Sequence, residues 1–137
     1  MRIVLDTNVL VSGLLSPFGT PARILSLLAG GELSLCYDAR IMCEYHGVLA
    51  RPAFGFRGDR VDGLLEQLRA TGEPVAAVPL AHRLPDPDDE PFREVAIAAA
   101  VEYLVTGNLR HFPALARGGV RVVSPSAFLK IFQAGRT

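Results

Sequence analysis

Lysine is almost missing from this chain. Thirteen of its 14 basic residues are arginine, and Lys130 stands alone. A phosphate-cradling P-loop needs a lysine at the end of its glycine run, and neither GTPARI nor TGNLRHF supplies one. Arginine suits bidentate phosphate contact, although a GC-rich coding sequence gives the same bias and is the simpler cause. Cysteine is also scarce. Cys36 and Cys43 lie seven positions apart with no C-x-x-C spacing, and the three histidines, His46, His82 and His111, are scattered. That excludes a disulfide framework and argues against a zinc site, leaving reduced thiols in or near a core. Net charge is absent, with 14 basic against 14 acidic residues. The balance argues against nucleic-acid binding by bulk charge, but leaves local basic patches open. Long apolar runs are lacking too. None approaches the roughly 20 residues of a membrane span. The run before Asp6 is shorter than the about seven residues of a signal-peptide core. A cytoplasmic protein with no membrane partner is expected.

What remains is a chain of 137 residues, half hydrophobic and one fifth charged, which reads as one globular domain over 1–137. RIVLD (2–6) has the length and β-branched centre of a buried strand. A helix follows at once, with Thr7 able to serve as its N-cap. Further helices are predicted over 22–31, from Asp38 to a stop at Pro52, over 59–72 with Asp59 as cap, over 94–102 and over 126–133 capped by Ser124 or Ser126. Strands are predicted over 33–37, 74–80, 103–108 and 120–125. Strands alternating with helices imply right-handed crossovers and a mainly parallel five-stranded sheet with helices on both faces. In such a fold ligands bind at the carboxyl ends of the strands, near a topological switch point.

Carboxylates gather where those strand ends should lie. Asp6 closes the first strand, either as a helix cap or as a ligand. Glu44 shares a helix face with Ile41, Tyr45 and Val48, so it is either a solvated surface group or one looking into the cleft of Asp6. Asp86, Asp88, Asp89 and Glu90 crowd the loop before the 94–102 helix, with Asp89 placed to cap it and Pro91 in its first turn. Four acids in five positions repel one another unless solvent or a cation relieves them, and Mg2+ or Mn2+ prefers such hard oxygen ligands. Three separated acids meeting at one sheet end can hold a cation that activates water against a phosphodiester without a nucleophilic side chain. The chain has no Ser-His-Asp or Cys-His set, which fits that chemistry.

DTNVLVSGLL, then ARIMCEYHGVLARPAF, then DPDDEPFREVAIAAAVEYLVTGN, in that order, resemble the PIN domain over about residues 2–130. More closely, they are similar to its branch of toxins from type II toxin–antitoxin systems, akin to the VapC ribonucleases. The resemblance implies a three-layer α/β/α fold and a Mg2+- or Mn2+-dependent endoribonuclease cleaving single-stranded RNA. It maps the first three family acids onto Asp6, Glu44 and Asp89. The fourth follows V-T-G in the family and is Asn108 here. Asn keeps an oxygen for a metal or a water but loses the charge, so a second metal is held more weakly. Asp88, Glu90 and Glu94 are the acids placed to compensate; otherwise this copy is slow or inactive, an RNA- or antitoxin-binding module. Thr106 is expected beside the metal water, and Asn8 on the Asp6 carboxylate. Arg110, Arg51 and Arg40 are the candidate RNA contacts, Arg110 foremost. A cognate antitoxin and a homodimer are the protein partners the resemblance implies.

Two other acid-bearing α/β designs fit less well. A phosphoacceptor receiver wants an Asp after the third strand and a lysine near the last, and PVAAVPL ends in no Asp. A haloacid-dehalogenase-type phosphatase wants an acid at position 8, which is Asn8.

Overall fold

The computed structural model describes residues 1–81 and 83–135; His82 lies outside them. Strand β1 (Arg2–Leu5) is flanked in parallel by β2 (Ser34–Tyr37), at Ile3 opposite Leu35, and by β4 (Tyr103–Val105), at Val4 opposite Leu104. Ile3, Val4 and Leu5 are fully buried, as a central parallel strand covered on both faces requires. Two short edge strands complete the sheet, β3 (Glu73–Pro74) beside β2 and β5 (Val122–Val123) beside β4. The order is β3-β2-β1-β4-β5, all parallel. The chain therefore winds outward from β1 to β3 and then returns to the other side of β1. The reversal puts the switch point between the carboxyl ends of β1 and β4.

Six α-helices make the outer layers of an α/β/α sandwich among the described residues: α1 (Thr7–Leu15), α2 (Thr20–Ala29), α3 (Ala39–Leu49), α4 (Gly58–Thr71), α5 (Glu90–Ala99) and α6 (Pro125–Ala134). Helix α5 lies on β1, β2 and β4, while α1 packs on α2, and α2 meets α4 and α6. The parallel α/β architecture matches the sequence expectation.

Local departures have physical causes. The first cap is Asp6, not Thr7: Asp6 is extended and its carboxylate accepts the Thr7 N–H, so Thr7 already lies inside the helix. Asp59 does not cap α4; it sits in the first turn and bonds to Arg57 and to the Arg60 N–H. Helix α5 starts at Glu90, four residues before 94, because Pro91 is well suited to a first turn. Strand β3 stops at Pro74 rather than reaching 80. Its partner β2 ends at Tyr37, where Asp38 begins to cap α3 through the Ile41 N–H at 3.0 Å, so no ladder remains to pair with beyond Val75. Ser124, not Ser126, caps α6, accepting the Ala127 N–H at 3.2 Å.

Candidate active site

Asp6 leaves β1 at the switch point and is 4% exposed. Its own N–H donates to the Val105 carbonyl at 2.9 Å, which continues the ladder to β4 by one residue. Its carboxylate is held from three sides. Oδ1 accepts the Thr7 N–H at 2.8 Å, and Oδ2 accepts the Thr106 hydroxyl at 2.7 Å and the Asn8 amide at 3.4 Å. A carboxylate has about four lone-pair sites, so these donors fix its orientation and leave room for about one more partner. Burial raises the Asp6 carboxyl above the ordinary range, and the Thr106 and Thr7 donors oppose that rise.

The same residues join the two strand ends. Thr106, fully buried, also accepts the Asn108 N–H at 3.0 Å. Asn8 accepts the Gly107 N–H through Oδ1 at 3.0 Å. Gly107 suits this approach, since a Cβ there would stand 3.2 Å from Asn8 Oδ1.

Glu44 reaches the site from α3. Tyr45, next to it, is fully buried and donates its hydroxyl to the Leu5 carbonyl, pinning α3 to the end of β1. Half-buried Glu44 accepts the Thr7 hydroxyl. Its carboxyl is raised, first by burial and then, against the Thr7 donor, by the charges of Asp6, Asp88 and Asp86.

Asp89 comes from the 3-10 turn Pro87–Asp89, which Asp86 caps by accepting the Asp88 N–H at 2.9 Å. Asp89 makes no side-chain cap on α5, contrary to the sequence expectation. It is 7% exposed, and its Oδ2 lies 2.9 Å from His111 Nδ1. The two atoms are not aligned as donor and acceptor, so Oδ2 is buried without a hydrogen-bond partner. Burial, then the Asp6 charge, pushes the Asp89 carboxyl up to about 7.

Asp6, Glu44 and Asp89 share one open cleft of about 400 Å3 with Asn8, Asp86, Asp88, Arg51 and Phe54. A larger hollow of about 690 Å3 lies beside Tyr37, Met42 and Arg69, but Asp38 is its sole carboxylate among the described residues. Chemistry rather than size selects the acidic cleft.

Other expected residues lie elsewhere. Glu90 accepts from Arg83 and the Leu84 N–H, and Glu94 pairs with Arg40 at 2.7 Å, so neither acid is turned to the cleft. Arg40 is spent on Glu94 and Asp38. Asn108 does not line the cleft; its Oδ1 accepts the Arg110 N–H at 3.3 Å. Arg110 is exposed and outside the lining, whereas Arg51 is in it. His111, Ser12 and Phe54 are among the cleft residues that the sequence did not single out, while Asp86 entered only as one of the crowded acids. The signal for His111 was its place three residues after Asn108, one turn beyond the V-T-G-N exit.

Among the described residues no three His, Cys, Asp or Glu side chains are drawn into one preformed metal cage. The donor set nevertheless fits a hard cation: several carboxylates raised by burial and then by one another, and one buried oxygen lacking a hydrogen-bond donor.

A doubly wound parallel sheet with acids gathered at its switch point defines an α/β protein with an acidic cleft at its strand ends. A family model for the PIN domain matches residues 2–110, and the chain belongs to the PIN domain family. No curated protein matches the chain. PIN domains are generally nucleases and typically use divalent metals.

Proposed function

We propose that this protein is a Mg2+- or Mn2+-dependent endoribonuclease acting on single-stranded RNA, the toxin half of a type II toxin–antitoxin pair. One observation carries the nuclease reading: a buried Asp6, oriented by Thr106, Thr7 and Asn8, shares a cleft with Glu44 and Asp89. Asp6, Glu44 and Asp89 are the residues that hold the cation. A bound divalent ion supplies an activated water and neutralises charge at the scissile phosphate. Thr106 and Asn8 keep the Asp6 carboxylate in one rotamer, so it is presented with little loss of freedom. Asp89, with its carboxyl near 7, is able to hold a proton until a cation replaces it. Arg51 offers its guanidinium to a phosphate at the rim, and Phe54 beside it offers a face for a base.

The test is cleavage of a broad RNA panel with and without Mn2+. Wild type is expected to cut and Asp6→Asn to be silent. Equal cleavage by both proteins overturns the assignment and points to a contaminating nuclease. A short neighbouring reading frame encoding a DNA-binding antitoxin supports the toxin role; its absence argues against it.

A second reading, a PIN module that binds RNA or an antitoxin without cutting, is favoured by Asn108 alone. The charge of a fourth acid is gone there, and the amide is occupied with Arg110. Calorimetric Mn2+ titration separates the two, because a dead site binds the ion feebly.

A further inference from the structure

Asn108 stands where the PIN pattern has its fourth acid, yet its side chain serves the backbone. By accepting the Arg110 N–H it caps the single 3-10 turn Leu109–His111. The turn ends on His111, and the ring faces the cleft rather than solvent alone. Nδ1 comes to 2.9 Å from Asp89 Oδ2, a buried oxygen that receives no hydrogen bond. The two groups form an ion pair when the ring is protonated; a ring nitrogen and a carboxylate oxygen at that spacing also match adjacent ligands on one octahedral ion. With metal–ligand distances of about 2.1 Å, ligands at right angles stand about 3.0 Å apart. The same ring lines the cleft that holds Asp6 and Glu44.

We propose that His111 Nδ1 is a protein ligand of the divalent-cation site, replacing the acid absent at Asn108, and that it biases the site toward Mn2+ over Mg2+. The proposal rests on the cleft being a cation site, as argued above. Imidazole suits transition ions, whereas Mg2+ keeps to oxygen and water. The exchange of an acid for Asn108 therefore moves the missing ligand three residues along the chain and changes its chemistry from oxygen to nitrogen. His46, the other described histidine, is exposed and 3.6 Å from Asp62, away from this cleft.

The test loads the untagged full chain with Mn2+ and records electron spin-echo modulation beside calorimetric titrations of Mn2+ and Mg2+. Nitrogen-14 coupling to the bound Mn2+ is expected in wild type and in His46→Ala, and is lost in His111→Ala. His111→Asp, which restores a carboxylate, is expected to lower the Mn2+-over-Mg2+ preference by about tenfold. It also gives the same spectroscopic readout if His111→Ala does not fold. Mn2+ that binds in an Asp6-dependent way without nitrogen coupling overturns the role of His111 and leaves the cation site standing. Failure of Mn2+ to bind at all overturns both.

Discussion

Thr106 carries a large share of the site for so small a side chain. It is fully buried, donates to Asp6 at 2.7 Å and accepts from the Asn108 backbone. Thr106→Val keeps the shape and removes the hydroxyl, leaving Asp6 Oδ2 with the longer Asn8 contact. A buried group deprived of its partner costs about 1–3 kcal/mol. Urea unfolding is expected to show that loss at pH 7 and a smaller one at pH 4, because the carboxyl, raised by burial, takes up its proton as the pH falls. An equal loss at both values refutes the charge-linked account. Asp89 gives the second prediction at this scale. Its carboxyl titrates near 7 in the folded chain against 3.8 for the free group, so the folded state holds the extra proton between those values. Stability of the metal-free protein therefore falls as pH rises from about 4 to about 7. Asp89→Asn is expected to flatten that slope, read as melting temperature against pH; an unchanged slope assigns the proton elsewhere.

Among the elements, α4 offers a matched pair of glycines. Gly63 is exposed in mid-helix, and a Cβ there would meet no atom within 4 Å. Gly63→Ala is expected to add about 0.5–1 kcal/mol. Gly72 ends the helix against β2, and a Cβ there would stand 2.6 Å from the Leu35 and Leu68 carbonyl oxygens. Both are backbone atoms, so Gly72→Ala is expected to cost about 1–3 kcal/mol by overpacking. Chemical denaturation of the two variants checks the pair, and destabilisation by both contradicts it. Legibility in the sequence followed the same line between local and distant causes. β1 and α3 were readable because Ile3, Val4 and Leu5 form an unbroken apolar run and Asp38 is a local cap. β3 was overestimated because its end depends on where β2 stops, and no feature within 74–80 reports that. Asp6 and Asp89 were visible as acids at a strand end and a helix start, and Glu44 as an acid on a partly apolar helix face. His111 was not, because its approach to Asp89 depends on a cap at Asn108 that resembled a lost ligand.

At the scale of the molecule, protons and cations compete for one cleft. Any ion that binds only the folded chain at a hundred times its dissociation constant adds about 2.7 kcal/mol to stability. Burial raises the carboxyls of Asp6, Glu44 and Asp89, that of Asp89 to about 7, and a carboxyl that holds a proton must shed it to become a ligand. Mn2+ is therefore expected to raise the melting temperature more at pH 7.5 than at pH 5.5, measured at one fixed concentration. A larger shift at the lower pH excludes these carboxylates as ligands.

The link between Asp6 and Thr106 joins residues 100 positions apart. Asp6 leaves the ribosome a hundred residues before Thr106. Until β4 docks beside β1, Asp6 has neither the hydroxyl nor the strand that orients it. A nascent or prematurely terminated chain thus carries the first acid in an unformed setting. The orientation of Asp6 is completed only after β4 has been made and has docked.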